Sequence, residues 1–261
     1  DFSSPKTAVE KIVKEILENE PRILKGASES FIGELTEEAA GISAVAASQL
    51  MKGSFEAKFT EAAFGKPPAP FKGHEIVLDA DVLTAEGVID RVDVCGNAAR
   101  VIDYKTGHAE FSLADIYYGK KIQLPVYLKV LQENGFAPAG MFYFPFSTAF
   151  ASDKNSYRLM GMFDEKYAYE MDNGLGDEGY ASNVVNARAV KGSAPYRPVL
   201  HKAGSSAVCG DTLGAVCDYA EAVLKSGAEE MLSGYCAPSP LVSGRLSECS
   251  YCEMKPVCAA C

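Results

Sequence analysis

Two short stretches of this sequence place acids and a lysine where they could act together. GVIDRVD contains Asp90, and VIDYKTG, eight residues further on, contains Asp103 and Lys105. Residues i and i+2 of a β-strand point to the same face, so Asp103 and Lys105 share a face if VIDYKTG is a strand. An isolated pair of this kind is typical of a surface ion pair, so its meaning depends on what lies beside it.

A predicted hairpin brings the two acids together. The Gly96–Asn97 pair is a hairpin signal between strands that the pattern predicts at 86–94 and 99–105. Asp90 and Asp103 then converge at one end of the strand pair. Two close carboxylates repel each other unless a cation lies between them.

The residue types at this point suit phosphate chemistry. Oxygen ligands favour Mg²⁺ or Mn²⁺, and the carbonyl oxygen of Tyr104 could supply a further ligand. Lys105 beside such a cation could orient or help deprotonate a water that attacks a phosphate. The arrangement is suited to phosphodiester hydrolysis, and two solvated acids on adjacent strands are the alternative.

A helix that follows carries two further polar side chains. In KKIQLPVYL, Gln123 and Tyr127 are four residues apart and share one helix face. Their amide and phenol groups could orient Lys105 or contact a DNA phosphate. The alternative is a chance pairing, because Gln and Tyr often occur at this spacing.

The C-terminal stretch ECSYCEMKPVCAAC has the spacing of a metal site. It reads C-x2-C-x5-C-x2-C through Cys249, Cys252, Cys258 and Cys261. Thiolates at this spacing can hold one soft metal centre. The sequence shows no secretory signal, which favours a metal or iron–sulfur site over disulfides. Zinc held by four cysteines and unligated thiols are the alternatives.

The elements that must position these residues follow from periodicity and turn signals. The sequence predicts helices at 5–19, 27–52, 112–134 (broken near Gly119) and 205–233, and strands at 75–83, 86–94, 99–105, 139–146 and 157–163. It predicts that the aromatic run MFYFPF is a buried strand, and that Cys209 and Cys217 pack on the last helix. This order predicts an α/β fold with a central mixed sheet flanked by helices.

Composition limits the function classes. The formal net charge is −10, whereas a free-standing nucleic-acid binder is usually basic. This charge counts against an autonomous DNA-binding module and leaves room for an active site that holds cations. The sequence contains no apolar run of a membrane-spanning length and no phosphate-binding G-x4-GK[ST] loop. It also lacks an initiator Met, as expected of a piece of a longer protein.

Four motifs, in order, carry a family resemblance. GVIDRVD, VIDYKTG, FSLADIYYGKKIQLPVYL and CSYCEMKPVC resemble the RecB-like branch of the PD-(D/E)xK nuclease superfamily, and within it the C-terminal domains of the AddB family. The resemblance covers roughly residues 55–261. It implies a restriction-endonuclease-like core at 55–248, an N-terminal helical part at 1–54 and a Cys-rich tail at 249–261.

The resemblance also implies roles for particular residues. Asp90 and Asp103 would bind the metal, Lys105 would be catalytic, and Gln123 and Tyr127 would support it. In addition, EAAFG at 61–65 resembles the acid-bearing strand that precedes these motifs in the family, which adds Glu61.

The implied cofactors and partners are those of a DNA-processing assembly. They are Mg²⁺ or Mn²⁺ and a [4Fe–4S] cluster on Cys249, Cys252 and Cys258. The fourth cluster ligand would lie far upstream, with Cys261 spare or a substitute, and zinc could replace the cluster. The expected function is a cytoplasmic, Mg²⁺-dependent exonuclease domain of a helicase–nuclease that processes double-strand DNA ends for recombinational repair. Its partners would be DNA and an AddA-like subunit, without a membrane.

Two alternatives and one departure accompany this expectation. The chain could be a stand-alone RecB-like iron–sulfur exonuclease of CRISPR spacer acquisition, or a structural scaffold with an incomplete centre. RecB-like nucleases commonly place a metal-binding His, or an acid, on a helix before the sheet. None of His74, His108 and His201 lies on such a helix. Either that helix precedes residue 1, or an acid within 1–61 takes the place of the histidine.

Overall fold

A central mixed sheet flanked by helices organises the protein. A computed structural model describes residues 4–19, 26–79, 81–106, 110–146, 157–189, 206–235, 237, 242–243, 246–247, 249 and 252–258. The helices are α1 (Pro5–Asn19), α2 (Glu29–Met51), α3 (Leu113–Tyr117), α4 (Gln123–Glu133), α5 (Ala168–Met171) and α6 (Gly210–Leu232). The strands are β1 (Glu56–Phe64), β2 (His74–Val77), β3 (Val82–Ala85), β4 (Gly87–Cys95), β5 (Ala98–Thr106), β6 (Ala137–Phe146), β7 (Met160–Asp164), β8 (Ala207–Val208), β9 (Val242–Ser243) and β10 (Leu246–Ser247).

The main sheet has six strands in the order β1-β4-β5-β6-β7-β8. Its β1–β4, β4–β5 and β6–β7 pairs are antiparallel, whereas β5–β6 and β7–β8 are parallel. A parallel pair needs a crossover connection, and α3 and α4 lie in the one between β5 and β6. This topology confirms the predicted α/β class, and it sets α4 beside the strand that contains VIDYKTG.

Alternating side chains of the sheet build two cores. On one face, Val101 and its neighbours pack with α4 and α6 residues such as Leu128 and Leu213. On the other face, Ile102 and Phe142 pack with α5, and the α2 residue Val45 lies against this second core. Because Asp103 and Lys105 keep the phase of Val101, they belong to the face that α4 covers.

Several element predictions are confirmed and others are corrected. The helix at 5–19 is confirmed, and the predicted helix at 112–134 is broken at Gly119, whose φ of +73° suits glycine. The single strand predicted at 75–83 is wrong. A turn there, closed by a 2.9 Å bond from Leu78 N–H to the Asp81 carbonyl, divides β2 from β3.

Other boundaries differ at the chain's two ends. The sequence indicates β1 only in its last residues, whereas the strand spans Glu56–Phe64. The last helix starts at Gly210 rather than near 205, after the short strand β8. The divisions of the chain at residues 54 and 248 stay predictions. Among the described residues, no helix combines the length and apolarity needed to cross a membrane.

Candidate active site

The sheet register aligns the predicted acids across neighbouring strands. β4 pairs with β5 through Arg91 and Ile102, so the adjoining residues Asp90 and Asp103 lie opposite each other. On the other side of β5, Asp103 pairs directly with Tyr143 of β6. Neighbouring strands are about 4.8 Å apart, so this row concentrates two carboxylates at one point of the sheet.

Asp103 is a buried carboxylate with a charged neighbour of its own sign. Only 2% of the residue is exposed, and burial raises the pKa of its carboxyl group. The charge of Asp90 raises this pKa further, whereas Lys105, with Nζ 2.6 Å from Asp103 Oδ2, opposes the rise. Asp90 is held separately, because its Oδ2 accepts a 2.8 Å hydrogen bond from the Tyr104 N–H. Two carboxylates and one ammonium leave excess negative charge.

The Lys105 ammonium is held by three different groups. Its Nζ lies 2.6 Å from Asp103 Oδ2, 3.5 Å from Gln123 Oε1, and 5.5 Å from the centroid of the Tyr143 ring. The side chain is nevertheless 41% exposed. The ammonium is therefore fixed in position and still open to a ligand.

The first turn of α4 supplies the amide and the phenol. Gln123 Nε2 donates a 2.7 Å hydrogen bond to the Tyr127 hydroxyl, as the i, i+4 spacing predicts. Burial raises the pKa of Tyr127, with smaller contributions from the charges of Asp103 and Asp90, so its hydroxyl stays protonated. The chain Tyr127–Gln123–Lys105 thus anchors the lysine to a helix that is packed in the core.

A second charged group lies on the opposite face of the same strands. Arg91 donates two hydrogen bonds to Asp93, at 2.6 and 2.7 Å, and Arg100 donates one at 2.9 Å. All three residues are 3% exposed or less. Arg91 Nη1 also donates a long, 3.5 Å hydrogen bond to the Tyr104 hydroxyl. This buried group therefore supports the residue whose backbone N–H holds Asp90.

Glu61 lies beside Asp90 on the edge strand. β1 pairs with β4 on both sides of Glu61, which places it across from Asp90, and its side chain is exposed. Its φ of +46° is unusual for a residue with a side chain, and backbone strain of this kind is concentrated at functional sites. The proximity supports a role for Glu61 without assigning one.

His74 lies away from this centre. Its ring is buried between two acids, with Nδ1 2.7 Å from Glu133 Oε1 and Nε2 3.4 Å from Glu221 Oε2. Glu133 ends the 11-residue helix α4 and Gln123 begins it, about 15 Å away at 1.5 Å per residue. His74 is therefore not a ligand of the Asp90–Asp103 site. His108 and His201 lie outside the described residues.

Comparison with known proteins identifies the family. The PD-(D/E)XK nuclease superfamily matches residues 3–259. This chain belongs to that superfamily. The row of acids on β4 and β5, with Lys105 two residues after Asp103, is thus found in a nuclease.

The similar curated proteins carry one description, that of an ATP-dependent helicase/deoxyribonuclease subunit. They include those of Clostridium tetani (29% identical, 82% of this chain, 20% of that protein), Ruminiclostridium cellulolyticum (29%, 96% and 23%) and Desulforudis audaxviator (33%, 66% and 16%). The chain spans about a fifth of the length of these relatives. The crystal structure of SSO0001 covers 98% of this chain and 81% of its own at 16% identity and a TM-score of 0.35, too weak a likeness to carry an argument.

The cysteine tail of this nuclease differs from the predicted cluster site. Cys249 is disulfide-bonded, while Cys252 is an exposed free thiol and Cys258 a half-buried one. Cys249 and Cys252 share a turn through a 3.4 Å backbone hydrogen bond. Cys261 lies outside the described residues. Within the described part of the tail, these thiols are not gathered into one complete site.

The cysteines of α6 divide into two kinds. Cys217 is buried, which raises the pKa of its thiol to about 12, as expected of a packing residue. The prediction for Cys209 is wrong, because it is exposed at the N-cap of α6. An N-cap residue lies outside the helical turn, so its side chain does not follow the helix's apolar face.

Two further groups at this site are not among the residues that the sequence motifs single out. Arg91 and Asp93 show the same i, i+2 spacing as Asp103 and Lys105, a signal that predicts their contact in a strand. The sequence predicts Tyr143 only as a member of a buried strand, and that burial is confirmed at 4% exposure. Its place next to Asp103 depends on the β5–β6 register, which no local pattern specifies.

Proposed function

We propose that this chain is the metal-dependent nuclease domain of a helicase–nuclease, and that it hydrolyses DNA phosphodiesters. The observation that carries the proposal is the uncompensated charge of Asp90 and Asp103 beside Lys105. Membership of a nuclease superfamily and the description of the relatives as helicase/deoxyribonuclease subunits support the same function. They also favour it over a CRISPR exonuclease.

The residues present fit a hard divalent cation. Asp103 Oδ2 is buried and, among the described residues, accepts no well-aligned hydrogen bond, although Lys105 Nζ lies 2.6 Å away. The described residues contain no cluster of three or more His, Cys, Asp or Glu side chains suited to a metal. Mg²⁺ tolerates this, because it is usually bound by one or two carboxylates together with waters and substrate phosphates. Asp90 and Asp103 would hold it, with the Tyr104 carbonyl and Glu61 as further candidates.

The chain's own groups then have distinct tasks. When bound, Mg²⁺ or Mn²⁺ lowers the pKa of a coordinated water and offsets charge on the phosphate. Lys105 binds the scissile phosphate or orients the attacking water, because its ammonium is exposed yet fixed. Gln123 keeps Lys105 in place through its side-chain oxygen, and Tyr127 fixes the Gln123 amide.

The wider assignment follows from the relatives' descriptions. We place this domain in an assembly that acts as an exonuclease on double-strand DNA ends, with an AddA-like partner subunit supplying a motor. The chain has no nucleotide-binding G-x4-GK[ST] loop of its own. The test of the exonuclease assignment is a linear substrate against a closed circular one, since an exonuclease degrades only the linear form.

The tail is proposed to hold a [4Fe–4S] cluster once Cys249 is reduced. Cys249, Cys252 and Cys258 would supply three thiolates, and Cys261 or an upstream residue the fourth. Such a cluster would restrain the chain terminus against the domain. Iron, sulfide and zinc analysis of anaerobically purified protein decides between the cluster and zinc, and neither metal would contradict both.

The nuclease proposal is tested by cleavage of labelled linear DNA with Mg²⁺ and with EDTA. Asp103→Asn and Lys105→Ala should abolish cleavage, whereas Lys58→Ala, a matched change of an exposed β1 lysine, should leave it intact. Cleavage by Asp103→Asn at the rate of the unchanged protein would overturn the assignment. Absence of cleavage in every lane would favour the scaffold alternative.

A further inference from the structure

The Tyr143 ring lies at the centre of the candidate site, outside the hydrogen-bonded chain that links Tyr127 to Lys105. It is 4% exposed, and it belongs to the core face of β6 with Met141. In the sheet Tyr143 pairs with Asp103, while Lys105 pairs with Pro145. The ring therefore leans along the strand to bring its centroid 5.5 Å from Lys105 Nζ.

This distance is within the range of a cation–π contact, which extends to about 6 Å. The ring is also neutral, because burial raises the pKa of Tyr143 to about 12, with added contributions from the charges of Asp103 and Asp115. A neutral ring attracts the ammonium through its quadrupole and forms no salt bridge. It leaves the N–H donors of Lys105 available to a phosphate oxygen.

The other contacts of Lys105 explain why this matters. Asp103 Oδ2, at 2.6 Å, is the nearest partner, but a carboxylate that binds a cation or a proton is a weaker partner for the lysine. Gln123 Oε1, at 3.5 Å, is at the limit of a hydrogen bond. The Tyr143 ring is the remaining contact on which the position of the ammonium depends.

We propose that Tyr143 is a positioning residue for this nuclease, whose aromatic face holds the Lys105 ammonium in its working place. The inference rests on the proposed function, because it assigns Tyr143 a part in the same reaction. It concerns the ring and not the hydroxyl group. Replacing Tyr by Phe should therefore preserve the effect, and replacing it by Leu should remove it.

The kinetic test compares Tyr143→Phe, Tyr143→Leu and Phe142→Leu on linear DNA with Mg²⁺. Phe142 is the matched control, because it is a fully buried aromatic residue of the same strand that faces the other core. Losing a cation–π contact should lower kcat about tenfold in Tyr143→Leu with KM changed less than about twofold. Tyr143→Phe and Phe142→Leu should retain kcat within about threefold.

Three kinetic outcomes would overturn the inference. They are an unchanged kcat in Tyr143→Leu, an equal loss in Tyr143→Phe, and an equal loss in Phe142→Leu among folded proteins. The second would assign the effect to the hydroxyl group, and the third to general packing of β6.

A second measurement does not depend on cleavage. In protein labelled with ¹³Cε-lysine, the Lys105 signal, assigned by its loss in Lys105→Gln, should show a ring-current shift in the unchanged protein and in Tyr143→Phe. Tyr143→Leu should move it to the position of exposed lysines. If the unchanged protein does not cut DNA, the proposed function fails while this spectrum still decides whether the ring holds Lys105. An unshifted Lys105 signal in the unchanged protein overturns the inference.

Discussion

The strand pair β4–β5 carries two groups of charged side chains, one on each face, and their charge balances are opposite. On the α2 side, the carboxylate of Asp93 meets two guanidinium groups, Arg91 and Arg100, at 2.6–2.9 Å. The group is sealed, with exposures of 3% or less. Every oxygen of that carboxylate has a partner, so the group needs nothing from outside.

On the α4 side the balance is reversed. Two carboxylates, Asp90 and Asp103, share one ammonium, Lys105, whose side chain is 41% exposed. Burial and its acidic neighbour raise the pKa of Asp103, which shows that its charge is poorly compensated. The two faces therefore separate a structural ionic group, complete in itself, from a site that is completed by a cation. Charge balance distinguishes them where sequence spacing does not.

The largest expected effects come from breaking each face in turn. Asp103→Asn should reduce DNA cleavage on the order of 10³-fold, because a charge that contacts the reacting groups is lost. Its free energy of unfolding should be equal or higher, since a poorly compensated buried charge is removed. Cleavage kinetics and urea unfolding measure the two effects. A large loss of stability would contradict the comparison.

Asp93→Ala should do the reverse on the opposite face. It leaves two buried guanidinium groups without their carboxylate, which typically costs about 3–5 kcal/mol of stability. Urea unfolding should show this loss, and Asp177→Asn, an exposed control, should not. A stable Asp93→Ala protein would mean that Asp93 is not the centre of a structural ionic group.

The pH dependence of stability should also differ between the faces. With EDTA present, the folded protein holds a proton on Asp103 at pH values where the unfolded chain, with an ordinary Asp pKa of about 3.9, releases it. Stability should therefore fall as pH rises from that value through the raised pKa of Asp103. Thermal melts across this window should show a smaller fall in Asp90→Asn, which lacks one cause of the raised pKa. An unchanged slope would remove Asp90 from the site.

A smaller effect is expected from the helix that supports Lys105. Tyr127→Phe removes the hydroxyl that accepts the 2.7 Å hydrogen bond from Gln123, and one such bond is worth about 1 kcal/mol. Cleavage should fall about three- to tenfold by kcat, with little change in stability. A fully active Tyr127→Phe protein would show that the Gln123 amide is held by other means.

The smallest effect is expected at Glu61. Its φ of +46° costs a non-glycine residue roughly 1–2 kcal/mol, and glycine removes this cost at an entropic penalty of about 0.5–1 kcal/mol in a strand. Glu61→Gly should therefore leave stability unchanged or raise it by up to about 1 kcal/mol. If Glu61 contributes to the cation site, Mn²⁺ affinity should fall in the same protein. Lower stability would indicate that the strand is not strained at this position.

Local periodicity predicted the parts of the site that depend on one element. The shared face of Asp103 and Lys105 follows from the strand repeat, and the Gln123–Tyr127 contact from the helix repeat. The Gly96–Asn97 turn sufficed to predict the β4–β5 hairpin. Each of these signals spans a few residues and requires no knowledge of the rest of the fold.

The remaining features depend on contacts between distant segments. Tyr143 reaches Lys105 through the parallel β5–β6 register, which is set by packing of the whole sheet and the crossover helices. The interpretation of 75–83 as one strand failed because its apolar alternation continues through a turn. Spacing in the tail predicted a cluster, but thiols that share a turn converge only when the surrounding chain directs them to one point.

The most direct test of the cation site is anomalous scattering from crystals soaked in Mn²⁺. We predict a peak bonded to carboxylate oxygens of both Asp90 and Asp103, near Lys105, and no peak at Asp93 on the opposite face. Asp103→Asn crystals should lose the peak. A peak at Asp93, or none at Asp90 and Asp103 when Mn²⁺ binds elsewhere, would contradict the claim that uncompensated charge marks the catalytic face.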